Sequence, residues 1–183
     1  MTGDLLPAKV LATHTIANVS ETLAEKLGLP PEYRSIGIIT ADSDDVTYCA
    51  LDEATKAAAV EVVYGRSLYA GAANASTKLA GEVIGILAGP NPAEVQSGLR
   101  SCVDFMESGV GFRSANEDDS VIYFAHTVSR TGSYLSKTAG VKEGEALAYL
   151  IAPPLEAVVG LDEAMKASDV ELVALFEPPS ETK

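Results

Sequence analysis

The densest chemistry in the chain lies in four consecutive residues, Asp42-Ser43-Asp44-Asp45. They follow the apolar run Ile36 to Thr40 and precede a helix-like segment starting at Leu51. That order sets the carboxylates at the C-terminal end of a strand, where α/β folds commonly hold ligands. Carboxylates gathered there suit a small cation. The competing reading is a solvated turn whose Asp residues cap the following helix. A second candidate, the stretch from Tyr64 to Thr77, is small and polar with glycines at Gly65 and Gly71, and reads as a long mobile loop. It lacks the G-x-x-x-x-G-K-S/T order of a phosphate-binding loop. Ser129-Arg130-Thr131-Gly132-Ser133-Tyr134 offers hydroxyls, but no G-x-S-x-G elbow supports a nucleophile. The two histidines, His14 and His126, are better explained as inherited strand architecture than as two active sites. A zinc centre needs three or four ligands at useful spacing. His126 with a carboxylate such as Glu82 reaches only a weak metal site.

These residues must be positioned by short elements in a regular rhythm. Lys9 to Ala17, Ser35 to Ala41, Val60 to Tyr64 and Glu82 to Ala88 are β-branched or apolar runs bounded by Gly, Pro or Asn, and are predicted strands. Leu51 to Ala59 is predicted helical. Pro92 to Glu107 is a second helix, with Asn91 as cap and Pro92 at the first helical position. Val95, Leu99, Cys102, Val103 and Met106 fall on its apolar face. Further on, Ser120 to Val128, Glu145 to Ala152 and Val170 to Phe176 are predicted strands, and Leu155 to Lys166 a helix. Strands alternating with helices of this length imply an α/β sheet with helices packed against it.

The rhythm is a duplication. Leu51-Asp52-Glu53-Ala54-Thr55-Lys56-Ala57-Ala58-Ala59-Val60-Glu61-Val62-Val63 recurs 110 residues later as Leu161-Asp162-Glu163-Ala164-Met165-Lys166-Ala167-Ser168-Asp169-Val170-Glu171-Leu172-Val173, with nine of thirteen positions identical. Upstream, His14 matches His126, Leu23 matches Leu135 and Gly28 matches Gly140, all at an offset of 112. A two-residue difference near Pro30-Pro31, in an evident turn, reconciles the offsets. The counterpart of residues 74–110 falls beyond Lys183, so the second copy is expected to be incomplete. At the place equivalent to the acidic cluster the second copy has Ala152-Pro153-Pro154-Leu155, with no acid. A role common to both copies would have kept similar chemistry.

Composition narrows the partners. At 47% hydrophobic and 21% charged residues, the 183-residue chain has the material for a packed core. A formal charge of −13 opposes binding to nucleic acid and anionic membrane surfaces. Cys49 and Cys102 are isolated and form no disulfide framework, which fits a reducing cytosol. Met1 to Val10 has no signal-like apolar run, and a soluble, unexported protein is expected.

Ala41-Asp42-Ser43-Asp44-Asp45-Val46-Thr47-Tyr48, Tyr64-Gly65-Arg66-Ser67-Leu68-Tyr69-Ala70-Gly71, Gly89-Pro90-Asn91-Pro92-Ala93-Glu94-Val95, Val128-Ser129-Arg130-Thr131-Gly132-Ser133-Tyr134 and Ala152-Pro153-Pro154-Leu155-Glu156-Ala157 together resemble the ethanolamine-utilisation shell proteins of bacterial microcompartments. The resemblance covers nearly the whole chain. It implies tandem, circularly permuted, ferredoxin-like α/β microcompartment domains, residues 1–112 and an incomplete 113–183. It further implies a homotrimer forming a pseudohexagonal tile among other shell proteins in a cytoplasmic compartment, with a gated central pore lined by the loop from Tyr64 to Thr77. Ethanolamine sites are implied too: Asp44 and Asp45 would hold the ammonium, Phe112 would lie against the ligand and Thr182 would sit near its hydroxyl. A zinc pair would match Glu82 and His126, and no cofactor is required. The residues by themselves leave open a soluble sensor or binding domain for a cationic metabolite. An enzyme is disfavoured, since no base, nucleophile or cofactor motif supports one.

Overall fold

The computed structural model describes residues 2–68 and 83–175. Its elements run β1 (Leu5–Pro7), β2 (Val10–Ile16), α1 (Glu21–Leu27), β3 (Ser35–Ala41), α2 (Asp44–Ala57), β4 (Glu61–Ser67), β5 (Val83–Gly89), α3 (Pro92–Glu107), β6 (Gly111–Ser114), β7 (Ile122–Val128), α4 (Ser133–Ala139), β8 (Leu147–Ile151) and α5 (Pro154–Ala167). The duplication is visible in these bounds. β2 and β7, and α1 and α4, are displaced by 112 residues, whereas α2 and α5 are displaced by 110. Gly28 (φ 65°) and Gly140 (φ 72°) close α1 and α4 in the left-handed conformation that favours glycine.

Two four-stranded sheets form, ordered β2-β3-β5-β4 and β1-β6-β7-β8. Every strand pair among the described residues is antiparallel. The rule that places ligands at strand ends was learned from parallel sheets, so it lends the acidic cluster no support here. β3 and β5 are apolar on both faces because both are covered. Ile39, Ala41, Val83 and Leu87 pack in the core with Val46 and Leu51 of α2 and Val95 and Leu99 of α3. Ile36, Ile86 and Ala88 pack on the opposite side with Val19, Ala24 and Leu27. Glycine in the central strands lets the helices seat closely. A Cβ on Gly37 would stand 2.6 Å from Val95 Cγ1, and one on Gly85 would stand 2.8 Å from Leu51 Cδ1. The same core takes in Phe112, Phe124, Val128, Leu135 and Leu147, so both sheets share it across α2.

One helix differs from its predicted start. α2 begins at Asp44 rather than Leu51: Asp44 and Asp45 suit the first turn, while Ser43 stands at the cap position without a side-chain cap hydrogen bond. The short elements β1, α1, β6 and α4 carry too few residues for a periodic signal and were not predicted. α3 matches its prediction, Asn91 Oδ1 accepting the Ala93 and Glu94 N–H groups at 3.0 Å each. Of the stretch read as a loop, Tyr64 to Ser67 belongs to β4, and residues 69–77 lie outside the described residues. The predicted strand at Val170 to Phe176 does not form: residues 171–175 have no regular structure, and Phe176 lies outside the described residues. In the first repeat the matching strand β4 hydrogen-bonds to β5, whereas among the described residues no strand pairs with residues 171–175. A strand without a ladder leaves its N–H and C=O groups to water.

The two repeats are joined by a buried carboxylate. Asp52 of α2 is 0% exposed, and its two oxygens accept the N–H groups of Gly132 and Leu135, each at 2.8 Å. Thr55 Oγ1 accepts the Ser133 N–H at 3.1 Å. Lys56 stands 3.6 Å from Asp52, pairs with Glu53 and donates to the Arg130 carbonyl at 2.9 Å. The first turn of α4 is thus capped from another helix, and its own cap residue, Gly132, has no side chain to do so. A Cβ on Gly132 would meet Thr55 Oγ1 at 2.2 Å, so glycine is required for the approach. Asp52→Ala strands two buried donors and is expected to cost about 3 kcal/mol of stability. Denaturant unfolding checks this, and a midpoint equal to that of the parent chain would contradict the capping role.

Candidate functional site

The structure separates the acidic cluster into two parts. Asp42 is buried, and its Oδ1 accepts the Lys9 N–H at 2.6 Å while its own N–H donates to the Lys9 carbonyl at 3.1 Å. It ties the start of β2 to the end of β3. Asp44 and Asp45 remain as a half-buried pair in the first turn of α2. Asp44 Oδ1 accepts the Asp45 N–H at 3.0 Å. Asp45 Oδ1 faces the Tyr149 hydroxyl of β8 at 3.5 Å, across from the other repeat.

Burial, the neighbouring Asp44 charge and a hydrogen bond from Asp44 raise the Asp45 carboxyl to about 7, against a smaller lowering by the Tyr149 hydroxyl. The N-terminal end of a helix favours a negative charge. Desolvation beside a second carboxylate outweighs it here. Burial and the Asp44 charge push the Tyr48 phenol up to about 12, and burial followed by the Asp45 charge pushes the Tyr149 phenol up as well. Both phenols therefore stay neutral. Tyr48 accepts the Ser67 N–H at 3.0 Å, which ties the end of β4 to α2. Beneath the pair, burial raises the Cys49 thiol to about 12, so it is an inert core group. Ser43 Oγ is buried without a hydrogen-bond partner among the described residues. Two adjacent carboxyl groups faced by the Tyr149 hydroxyl are chemistry for accepting a small cation.

The other expected site residues fall in different places. Phe112 is buried on β6, its ring 5.4 Å from Phe124. Phe124 lies 6.0 Å from Tyr149, so a chain of aromatic rings leads from Phe112 to the hydroxyl at Asp45. Thr182 and Glu82 lie outside the described residues. His126, on β7, stacks against Phe124 at 5.8 Å and meets Phe105 edge-on at 5.7 Å. Burial holds its pKa below the ordinary value. Among the described residues no group of three His, Cys, Asp or Glu side chains is placed to hold a metal ion. The hydroxyl run at Ser129 to Tyr134 is engaged by Asp52 and Thr55 through its backbone. No helix of the described residues is long and apolar enough to cross a membrane.

Sequence reasoning missed Tyr48 and Tyr149. Tyr48 was findable: with α2 extended to Asp44 it stands one turn along the helix from that residue. Tyr149 left no signal, because it enters from the other repeat.

Known proteins give this arrangement a family. A BMC domain model matches residues 35–116. The bacterial microcompartment shell protein EutL of Clostridium perfringens is 68% identical over 182 residues, which span 100% of this chain and 84% of that protein. Its Salmonella typhimurium namesake is 58% identical over 179 residues, covering 98% and 82%. The crystal structure of ethanolamine utilization protein EutL from Leptotrichia buccalis superposes with a TM-score of 0.91 at 68% identity, covering 100% of this chain and 84% of that one. With this identity across its whole length and the matching mixed α/β fold, the chain belongs to the EutL family of bacterial microcompartment shell proteins.

Proposed function

We propose that three copies of the chain close into a pseudohexameric tile that packs with other shell proteins around a cytoplasmic ethanolamine-utilisation compartment. Each chain contributes two circularly permuted repeats, residues 1–112 and 113–183. The stretch at residues 64–77 lines a gated central pore, and the Asp44–Asp45 pair takes ethanolamine. The role is structural and transport-related rather than catalytic. Family membership supports the tile. The observation that carries the ligand is the half-buried Asp44–Asp45 pair beneath the Tyr149 hydroxyl, in a chain of net charge −13. An ammonium would neutralise the pair and an alcohol would find phenol partners. Phe112 and Thr182 belong to the same reading as ligand neighbours, and Glu82 with His126 as an accessory zinc position rather than a cofactor site.

Three measurements test this reading. Calorimetry with ethanolamine is expected to show binding at pH 8 that weakens as the pH falls through about 7, where Asp45 takes its proton. Asp45→Asn should bind weakly at every pH. Affinity unchanged in that variant would reject the carboxylate assignment.

The same group sets a stability profile. Its folded pKa is raised, so its contribution is fully present below the unfolded value near 4 and is lost as pH rises through about 7. Asp45→Asn mimics the protonated acid permanently. Its Tm should therefore gain on the parent's from pH 4 to pH 8, and a constant difference would contradict the shift.

Sedimentation should give a species of three 19.0 kDa chains. A monomer at all concentrations would reject the tile.

A further inference from the structure

The hydroxyl that Tyr149 brings to the acid pair stands at a distance suited to sharing a donor. Its 3.5 Å separation from Asp45 Oδ1 exceeds the roughly 2.5–3.0 Å of a settled O–H···O bond, yet two oxygens so spaced can each lie about 2.8 Å from one nitrogen between them. The ring behind that hydroxyl is fixed. Tyr149 sits on β8 opposite His126 of β7, and its ring meets Phe124 edge-on, 6.0 Å away at 71°. Asp44 is held on the other side, where its Oδ1 accepts the Asp45 N–H at 3.0 Å. Ser43, the residue before the pair, is 0% exposed and its Oγ has no hydrogen-bond partner among the described residues, so the same helix end holds a further uncommitted oxygen. The neighbouring aromatic residues turn oxygens rather than ring faces to polar partners, or are buried. Tyr48 accepts the Ser67 N–H through its hydroxyl, and Phe112 is 4% exposed with its ring against Phe124.

We propose that Asp44, Asp45 and the Tyr149 hydroxyl form a three-oxygen acceptor set that selects protonated primary amines over N-methylated and quaternary ammonium ions, with Tyr149 as the specificity-determining residue. This rests on the ethanolamine reading and names what the site distinguishes. A primary ammonium has three N–H donors, one for each oxygen, and charge-assisted bonds of this kind are about twice as strong as neutral ones. Each added methyl group removes one donor and sets apolar surface against an oxygen whose lost hydration is then uncompensated. A quaternary ion keeps its charge and loses every N–H. Proteins that hold such ions do so on aromatic ring faces, and Tyr149 offers its oxygen instead. Burial keeps the Tyr149 phenol protonated, so its proton turns to Asp45 while a lone pair accepts from the ligand. The repeat without acids at this position thus supplies the residue that reads the ligand held by the other.

The test is calorimetry on the 183-residue chain at pH 8 with ethanolamine, N-methylethanolamine, N,N-dimethylethanolamine and choline, all cationic there. Affinity is expected to fall roughly tenfold for each N–H lost, with choline weakest. Tyr149→Phe keeps the ring on Phe124 and removes the oxygen. Ethanolamine should then bind about tenfold more weakly while choline is unchanged, which narrows the gap between them by that factor. Binding to the variant should also reach its midpoint at a higher pH than binding to the parent, because the phenol donor that lowers the Asp45 carboxyl is gone. Lost packing alone would weaken all four amines alike and leave that midpoint in place. Choline bound by the parent as tightly as ethanolamine overturns the acceptor set and leaves ethanolamine as a ligand. A variant with the parent's ratio of affinities overturns the role of Tyr149. A parent that binds none of the four overturns the ligand reading and the selectivity together. The parent series needs no substitution, so it decides the matter even where Tyr149→Phe fails to fold.

Discussion

Asp52 is a carboxyl group with no exposed surface, placed where two repeats of one ancestor meet. A buried carboxylate is tolerable only when hydrogen-bonded and paired. Both its oxygens are spent on the first turn of α4, with Lys56 alongside. Capping of this kind is directional. It fixes the angle at which α4 meets α2, and through α4 it sets where β7 and β8 lie against the common core. Hydrophobic burial alone would hold the halves together without choosing that angle.

The acid pair at the start of α2 depends on this choice. Tyr149 reaches Asp45 because β8 is held against α2 from the other repeat. The environment this creates is wetter than the core and drier than a surface turn, enough to bring one carboxyl to about 7. The matching place in the second repeat holds Pro154 and Leu155, and Leu155 is 70% exposed. One ancestral position has become polar and half-buried, the other apolar and bare. Duplication thus gave the chain two similar frames, of which only one kept carboxylates at this point.

The second repeat also shows what the first repeat's elements do for one another. α2 is covered by α3 and braced on β4 and β5, and its apolar positions are buried. α5 has the same length and a related sequence, yet none of its residues is buried, and Val158 and Val159 face water. Helix formation survives this, because Pro154 starts it and the internal Lys166 pairs support it. Strand formation does not, since a strand has no hydrogen bonds of its own to close. The stretch 171–175 is the part that stays irregular.

Sequence by itself determined the duplication, the larger helices and most of the strands, because these are written in local patterns: a capped run with apolar residues at helical spacing, or an apolar run between turn formers. The thirteen-residue repeat fixed the offset of 110 without any structure. Family motifs pointed to the same fold, and the carboxylates that remain at the candidate site were visible as residue types. Tertiary structure decided which acids stay available, since the backbone of Lys9 engages Asp42 and draws it out of the cluster. It decided that Asp52, one acid among many in a helix, is the joint between repeats, and that Tyr149 belongs beside Asp45. The division has a physical cause. Helices are specified by neighbours within a turn, while pairing, capping between elements and desolvation depend on residues some 80 to 104 positions away, whose proximity no local pattern records.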